Sequence, residues 1–112
     1  MFGKYTTYGI TDHIGTFYAY INNGGNNISA SASPYSGTWH HFAETFDGTT
    51  MSLYIDGGLV TSKTSASPST GTSGSFSIGL ANAVLNGSID DVRIYNRALS
   101  ATEIQTMYNA GK

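Results

Sequence analysis

Apolar and polar residues alternate along most of the chain, with the period of two that marks half-buried β-strands. The alternation predicts strands over about 4–10 (KYTTYGI), 15–22 (GTFYAYIN), 28–33, 38–46 (TWHHFAETF), 51–55 (MSLYI), 59–62, 75–80 (SFSIGL) and 87–95 (GSIDDVRIY). Residues that accept φ > 0 sit between several of them. Asn22 to Asn26 predict one tight hairpin, Asp47-Gly48-Thr49-Thr50 a turn, and Asp56-Gly57 a second hairpin. A Ser/Thr-rich stretch over about 63–73 predicts a long loop.

The period changes only near the end. Ser100 followed by Glu103 fits a capping box, in which each side chain satisfies the other residue's backbone amide. Leu99 and Ile104 occupy the positions of a hydrophobic staple, and Ile104, Met107 and Tyr108 share one helical face. Gly111 is the expected stop. The pattern as a whole predicts an all-β, antiparallel two-sheet sandwich of about eight strands with one short C-terminal helix. At 112 residues the chain supports one domain, 1–112, and one core.

Composition narrows the functional classes. Charged residues are 11% and the net charge is −2, with the five basic residues scattered, so no nucleic-acid partner is expected. Fourteen Gly, fourteen Ser and fourteen Thr would suit a disordered chain, but 12% aromatic residues argue for a sheet protein with polar outer faces. The absence of cysteine rules out a disulfide framework, a thiolate metal site and a cysteine nucleophile. No apolar run is long enough to span a bilayer, and residues 1–10 lack the apolar core of a signal peptide.

Three segments, in order, carry a family resemblance: Gly37-Thr-Trp-His-His-Phe-Ala-Glu-Thr-Phe-Asp-Gly48, then Leu53-Tyr-Ile-Asp-Gly57, then Asn86-Gly-Ser-Ile-Asp-Asp-Val-Arg-Ile-Tyr-Asn-Arg-Ala-Leu-Ser100 with Glu103-Ile104. Over about residues 37–108 the chain resembles the laminin-G-like, concanavalin A-like jelly rolls of lectins and glucanases. The resemblance implies a sandwich that binds glycans or protein partners on a sheet face or loop rim, and an extracellular or cell-surface setting. It also implies that Trp39 lies in the core and that calcium is a possible cofactor. Two departures follow. Only 38 residues precede Trp39, so the usual N-terminal strands are expected to be missing, and self-association (a homo-oligomer) would cover the open side. Glu44 stands where the family mostly has a small or apolar residue, beside Phe42 and Phe46, and must find a partner, reach solvent or hold its proton.

The candidate chemistry divides between function and structure. Asp90 and Asp91 suit a calcium ion, with backbone carbonyls supplying most ligands; the structural alternative is that Asp90 caps a turn and Asp91 pairs with Arg93. His40 and His41 point to opposite faces of a strand and cannot share one ion. His41 then reads as a half-buried residue hydrogen-bonded to a neighbouring strand. The carboxylates are dispersed, without the paired cluster that glycoside hydrolysis needs, so an enzyme is not expected and a glycosidase is the remote alternative. Tyr5, Tyr8, Tyr18, Tyr20 and Tyr35 are the candidate ligand-binding residues, because sugars stack their C–H faces on aromatic rings. Tyr18 and Tyr20 share one face of a strand, opposite Phe17, Ala19 and Ile21. The sequence thus predicts a non-catalytic, carbohydrate-binding, lectin-like recognition module, with calcium in question. The alternative is a structural or oligomerisation domain that buries its tyrosine face against another copy or a protein.

Overall fold

A computed structural model describes residues 2–4, 8–13, 16–21, 26–31, 37–64, 76–78 and 87–111. They form two antiparallel sheets and one helix, a mostly β arrangement consistent with a sandwich. The strands are β1 (Phe2–Lys4), β2 (Tyr8–His13), β3 (Thr16–Ile21), β4 (Asn26–Ser31), β5 (Phe42–Phe46), β6 (Met51–Ile55), β7 (Gly58–Lys63) and β8 (Phe76–Ile78), and the helix is α1 (Ala101–Ala110).

The first sheet has the order β4-β3-β2-β1-β8 and the second β5-β6-β7. The run expected as one strand over 4–10 is two, β1 and β2, paired Phe2 with Ile10 and Lys4 with Tyr8. The sequence between β1 and β2 holds no Gly, Pro or Asn, so the pattern alone reads through it.

Register sorts the first sheet into two faces. Ile10, Ala19 and Ile28 are mutual cross-strand neighbours and all three are buried. The opposite side carries Thr11, Tyr18 and Ser29 in one row, Gly9, Tyr20 and Asn27 in the next, and His13, Thr16 and Ser31 beyond. No Asp, Glu, Lys or Arg occupies these three rows; the charged positions of the sheet, Lys4 and Asp12, stand in the rows of the Ile10 side.

Every residue of β6 is buried, because both of its sides are covered. Met51, Leu53 and Ile55 pair with Phe46, Glu44 and Phe42, and the Glu44 carboxyl reaches the backbone amide of Gly9 in β2. That side therefore faces the other sheet, and β4 lies against β6 and β7. Ser52 and Tyr54 face the opposite way, on the side where His41 meets Tyr108 of α1. Ile104 of α1 is fully buried.

The two turns of the second sheet follow the sequence. Asp56 (φ 52°) and Gly57 (φ 81°) make the two-residue link between β6 and β7, both with the positive φ of a type I′ hairpin. Asp47 closes the β5–β6 turn by accepting the amides of Thr49 and Thr50. The capping box forms as expected: the Glu103 amide donates to Ser100 Oγ at 3.2 Å and the Ser100 amide to Glu103 Oε1 at 3.1 Å. Gly111 ends the helix, its amide donating to the carbonyls of Met107 and Tyr108.

Two of these expectations need correction. Trp39 is not in the core: it is 70% exposed, because β5 begins only at Phe42 and residues 39–41 are not strand. Among the described residues, 87–95 is not a strand either. Asp91 takes φ 54°, the Asp90 carboxylate accepts the Asp91 amide, and Arg93 folds back onto Asp91, so local polar bonds replace a ladder. Of the loop expected over about 63–73, Lys63 ends β7, Thr64 lies beyond the strand, and residues 65–73 lie outside the described residues.

Candidate functional site

The candidate site is the side of the first sheet turned away from Ile10, Ala19 and Ile28. Tyr18 stands at the centre of β3, between Thr11 of β2 and Ser29 of β4, and its ring is half-buried while Ser29 is exposed. Strands 4.7–4.9 Å apart place a hydroxyl-bearing residue on each side of the tyrosine. Tyr20 follows two positions on, in register with Gly9 and Asn27. The register thus sets two tyrosine positions among Thr, Ser, Asn and Gly, with no Asp, Glu, Lys or Arg in these rows.

Of the other predicted tyrosines, Tyr8 alone is among the described residues. Tyr8 pairs with Lys4 and Ile21, in a row of the Ile10 side. Tyr5 and Tyr35 lie outside the described residues. Asp90 and Asp91 are exposed and close together, but both Asp91 oxygens receive Arg93, at 3.0 and 3.3 Å, and one Asp90 oxygen receives the Asp91 amide. Among the described residues no group of three or more His, Asp or Glu is placed to hold a metal ion.

A second polar cluster was not read from the sequence. His40 Nδ1 lies 2.7 Å from Asp56 Oδ2, and its Nε2 lies 2.7 Å from Thr38 Oγ1. The other Asp56 oxygen accepts the His41 amide at 3.0 Å. Asp56 thereby ties the turn between β6 and β7 to the segment entering β5, and these hydrogen bonds hold its carboxyl below the usual range against the opposing effect of burial. The readable signal was the β5–β6 register, which sets positions 40 and 41 beside 56.

Glu44 resolves differently. It is half-buried, opposite the fully buried Leu53, and burial pushes its carboxyl well above the ordinary glutamate value while the Gly9 amide pulls weakly the other way. Of the three outcomes open to it, Glu44 finds a partner in the Gly9 amide, and burial favours the protonated carboxyl. A shallow depression of about 320 Å³ lies between α1 and residues 95–99, lined by Tyr95, Leu99 and Met107 among others. Its charged pair is closed on itself, Arg97 Nη1 donating to Glu103 Oε1 at 2.9 Å.

One known family has a sequence model that matches residues 4–105. The chain belongs to the concanavalin A-like lectin/glucanase superfamily. No curated protein matches it. A solved structure similar to this concanavalin A-like chain is that of an S-layer domain-containing protein (residues 221–444) from Clostridium thermocellum. The two are 33% identical with a TM-score of 0.55, and the similarity covers 83% of this chain and 50% of that one. This concanavalin A-like chain thus spans half the length of its structural neighbour.

Proposed function

We propose that this chain is a non-catalytic recognition module that binds uncharged carbohydrate on the outer face of the β1–β4 and β8 sheet, in a cell-surface protein. The observation that carries the reading is the Tyr18 row: a half-buried ring between Thr11 and Ser29, on a face whose three described rows hold no charged residue. A sugar ring stacks its C–H face on the phenol while its hydroxyls bond the flanking Thr and Ser. Neutral ligands suit such a face, because a charged glycan would lose hydration there without meeting an opposite charge. The cell-surface setting draws on the S-layer domain-containing neighbour, and the superfamily includes lectins by its description.

A glycan array followed by calorimetry, with calcium and with a chelator, tests the proposal. Binding of neutral glycans with equal affinity in both supports the sheet face as the site. Binding abolished by the chelator would move the site toward Asp90 and Asp91, and no binding in either condition would contradict the reading.

A second reading, self-association, is favoured by a separate observation. Trp39 (70%), Leu59 (58%) and Ile94 (55%) are exposed, and large apolar side chains that gather into one patch mark an association surface. Light scattering at micromolar concentration distinguishes the two, since a monomeric mass removes this alternative.

A further inference from the structure

Helix α1 lies against β7 with Ile104 fully buried, and near its C-terminal end Tyr108 meets the His41 ring. The ring centroids are 6.3 Å apart and the planes are tilted by 45°. The His41 backbone cannot shift independently: its amide donates to Asp56 Oδ1, and its carbonyl accepts the Asp56 amide at 2.8 Å. Nδ1 is enclosed and has no hydrogen-bond partner among the described residues.

A neutral imidazole tolerates that setting with its proton on Nε2 and a bare lone pair on Nδ1. An imidazolium does not, since it brings a second N–H and a charge that both need an acceptor. The charged and titratable groups around the ring come from each packed element. Asp56 belongs to the β6–β7 turn, Asp91 and Arg93 to the segment 87–95, and Tyr108 to α1, where the uncharged Gln105 also approaches the turn at Gly57. Burial is the largest influence and lowers the ring below its ordinary value, against the pull of Asp56 and Asp91 and with the push of Arg93. His40, next along the chain, differs because both its nitrogens are engaged, by Thr38 and Asp56.

We propose that His41 is a pH-operated latch for helix α1: the neutral ring seats the helix on the sheet, and proton uptake at the enclosed Nδ1 releases it. The sign follows from linkage. The released state takes the proton more readily, so docking is fully favourable above the ordinary histidine value near 6.5 and weakens as the pH falls below it.

Hydrogen exchange on the intact chain, corrected for the intrinsic effect of pH, provides the test. Between pH 7.5 and 5.0 the protection of residues 101–110 is expected to fall, by at most about tenfold per pH unit below 6.5 and levelling off once the docked ring itself takes the proton, while residues 51–55 hold theirs. In His41→Phe, which keeps a ring without the proton site, helix protection is expected to stay level. Equal protection of the wild-type helix at both pH values, or an unchanged loss in His41→Phe, overturns the proposal. Should that variant fail to fold, NMR of the wild type decides the matter. The Tyr108 ring signals are expected to move with the His41 titration, and a His41 titration that leaves them unmoved overturns the latch.

Discussion

Replacing Gly57 with alanine strikes two structural requirements at once. Gly57 has φ 81°, where an L-residue pays roughly 1–2 kcal/mol. A Cβ built there would lie 3.0 Å from both Gln105 Nε2 and Tyr108 Cδ1. Gln105 is exposed and can swing aside, but the Tyr108 ring is the helix's contact with His41, so the helix itself must give. Overpacking of this kind costs about 1–3 kcal/mol, and the stiffer unfolded chain returns roughly 0.5 kcal/mol. The sum is a loss of about 1.5–4.5 kcal/mol, which lowers the urea midpoint by roughly 1 M or more for a chain this size. Gly48→Ala isolates the second effect, because Gly48 also has positive φ (106°) but nothing within 4 Å of an added Cβ. Gly57→Ala is expected to cost more than Gly48→Ala and, alone of the two, to speed hydrogen exchange in residues 101–110. Equal losses with unchanged helix exchange would refute the claim that α1 is seated on this turn.

Other substitutions probe the remaining contacts. Ile104→Ala removes the fully buried side chain of α1 and is expected to cost about 2–5 kcal/mol in urea unfolding. Glu44→Gln should raise stability at pH 7. A carboxyl whose folded pKa is raised loses its stabilising contribution as pH rises from about 4.5 through the folded value, and the glutamine variant should lose that slope. Trp39, 70% exposed and the sole tryptophan, should show the fluorescence of a solvated indole and be quenched readily by acrylamide. A blue-shifted, shielded emission that appears only at high concentration would instead favour self-association.

The legible parts of the fold were those whose cause is local. Ser100 and Glu103 fix the helix start through their own hydrogen bonds, and Asp56-Gly57 fixes a hairpin through φ alone, so both could be read from a few residues. The sequence between β1 and β2 holds no Gly, Pro or Asn, and the pairing of Phe2 with Ile10 is what separates the two strands. Segment 87–95 has strand composition, yet the Asp90, Asp91 and Arg93 bonds hold it in another shape. The same divide holds for the site. Strand alternation was enough to put Tyr18 and Tyr20 on one face, and the buried Ala19 beside the half-buried Tyr18 agrees with it. The Thr38-His40-Asp56 bonds depend on the register of β5 against β6 carried on past Phe42, where the residues are no longer strand, so alternation within one stretch does not show them.

The central claim is that the Tyr18 face recognises neutral carbohydrate, and a calorimetric comparison of wild type with Tyr18→Ala tests it most directly. The ligand is the neutral glycan that binds best on the array, and circular dichroism confirms that the variant is folded. Loss of the stacking ring should weaken binding by about 1–1.5 kcal/mol, roughly tenfold in Kd, without changing calcium dependence. A folded Tyr18→Ala protein that binds the same glycan with wild-type affinity would contradict the account.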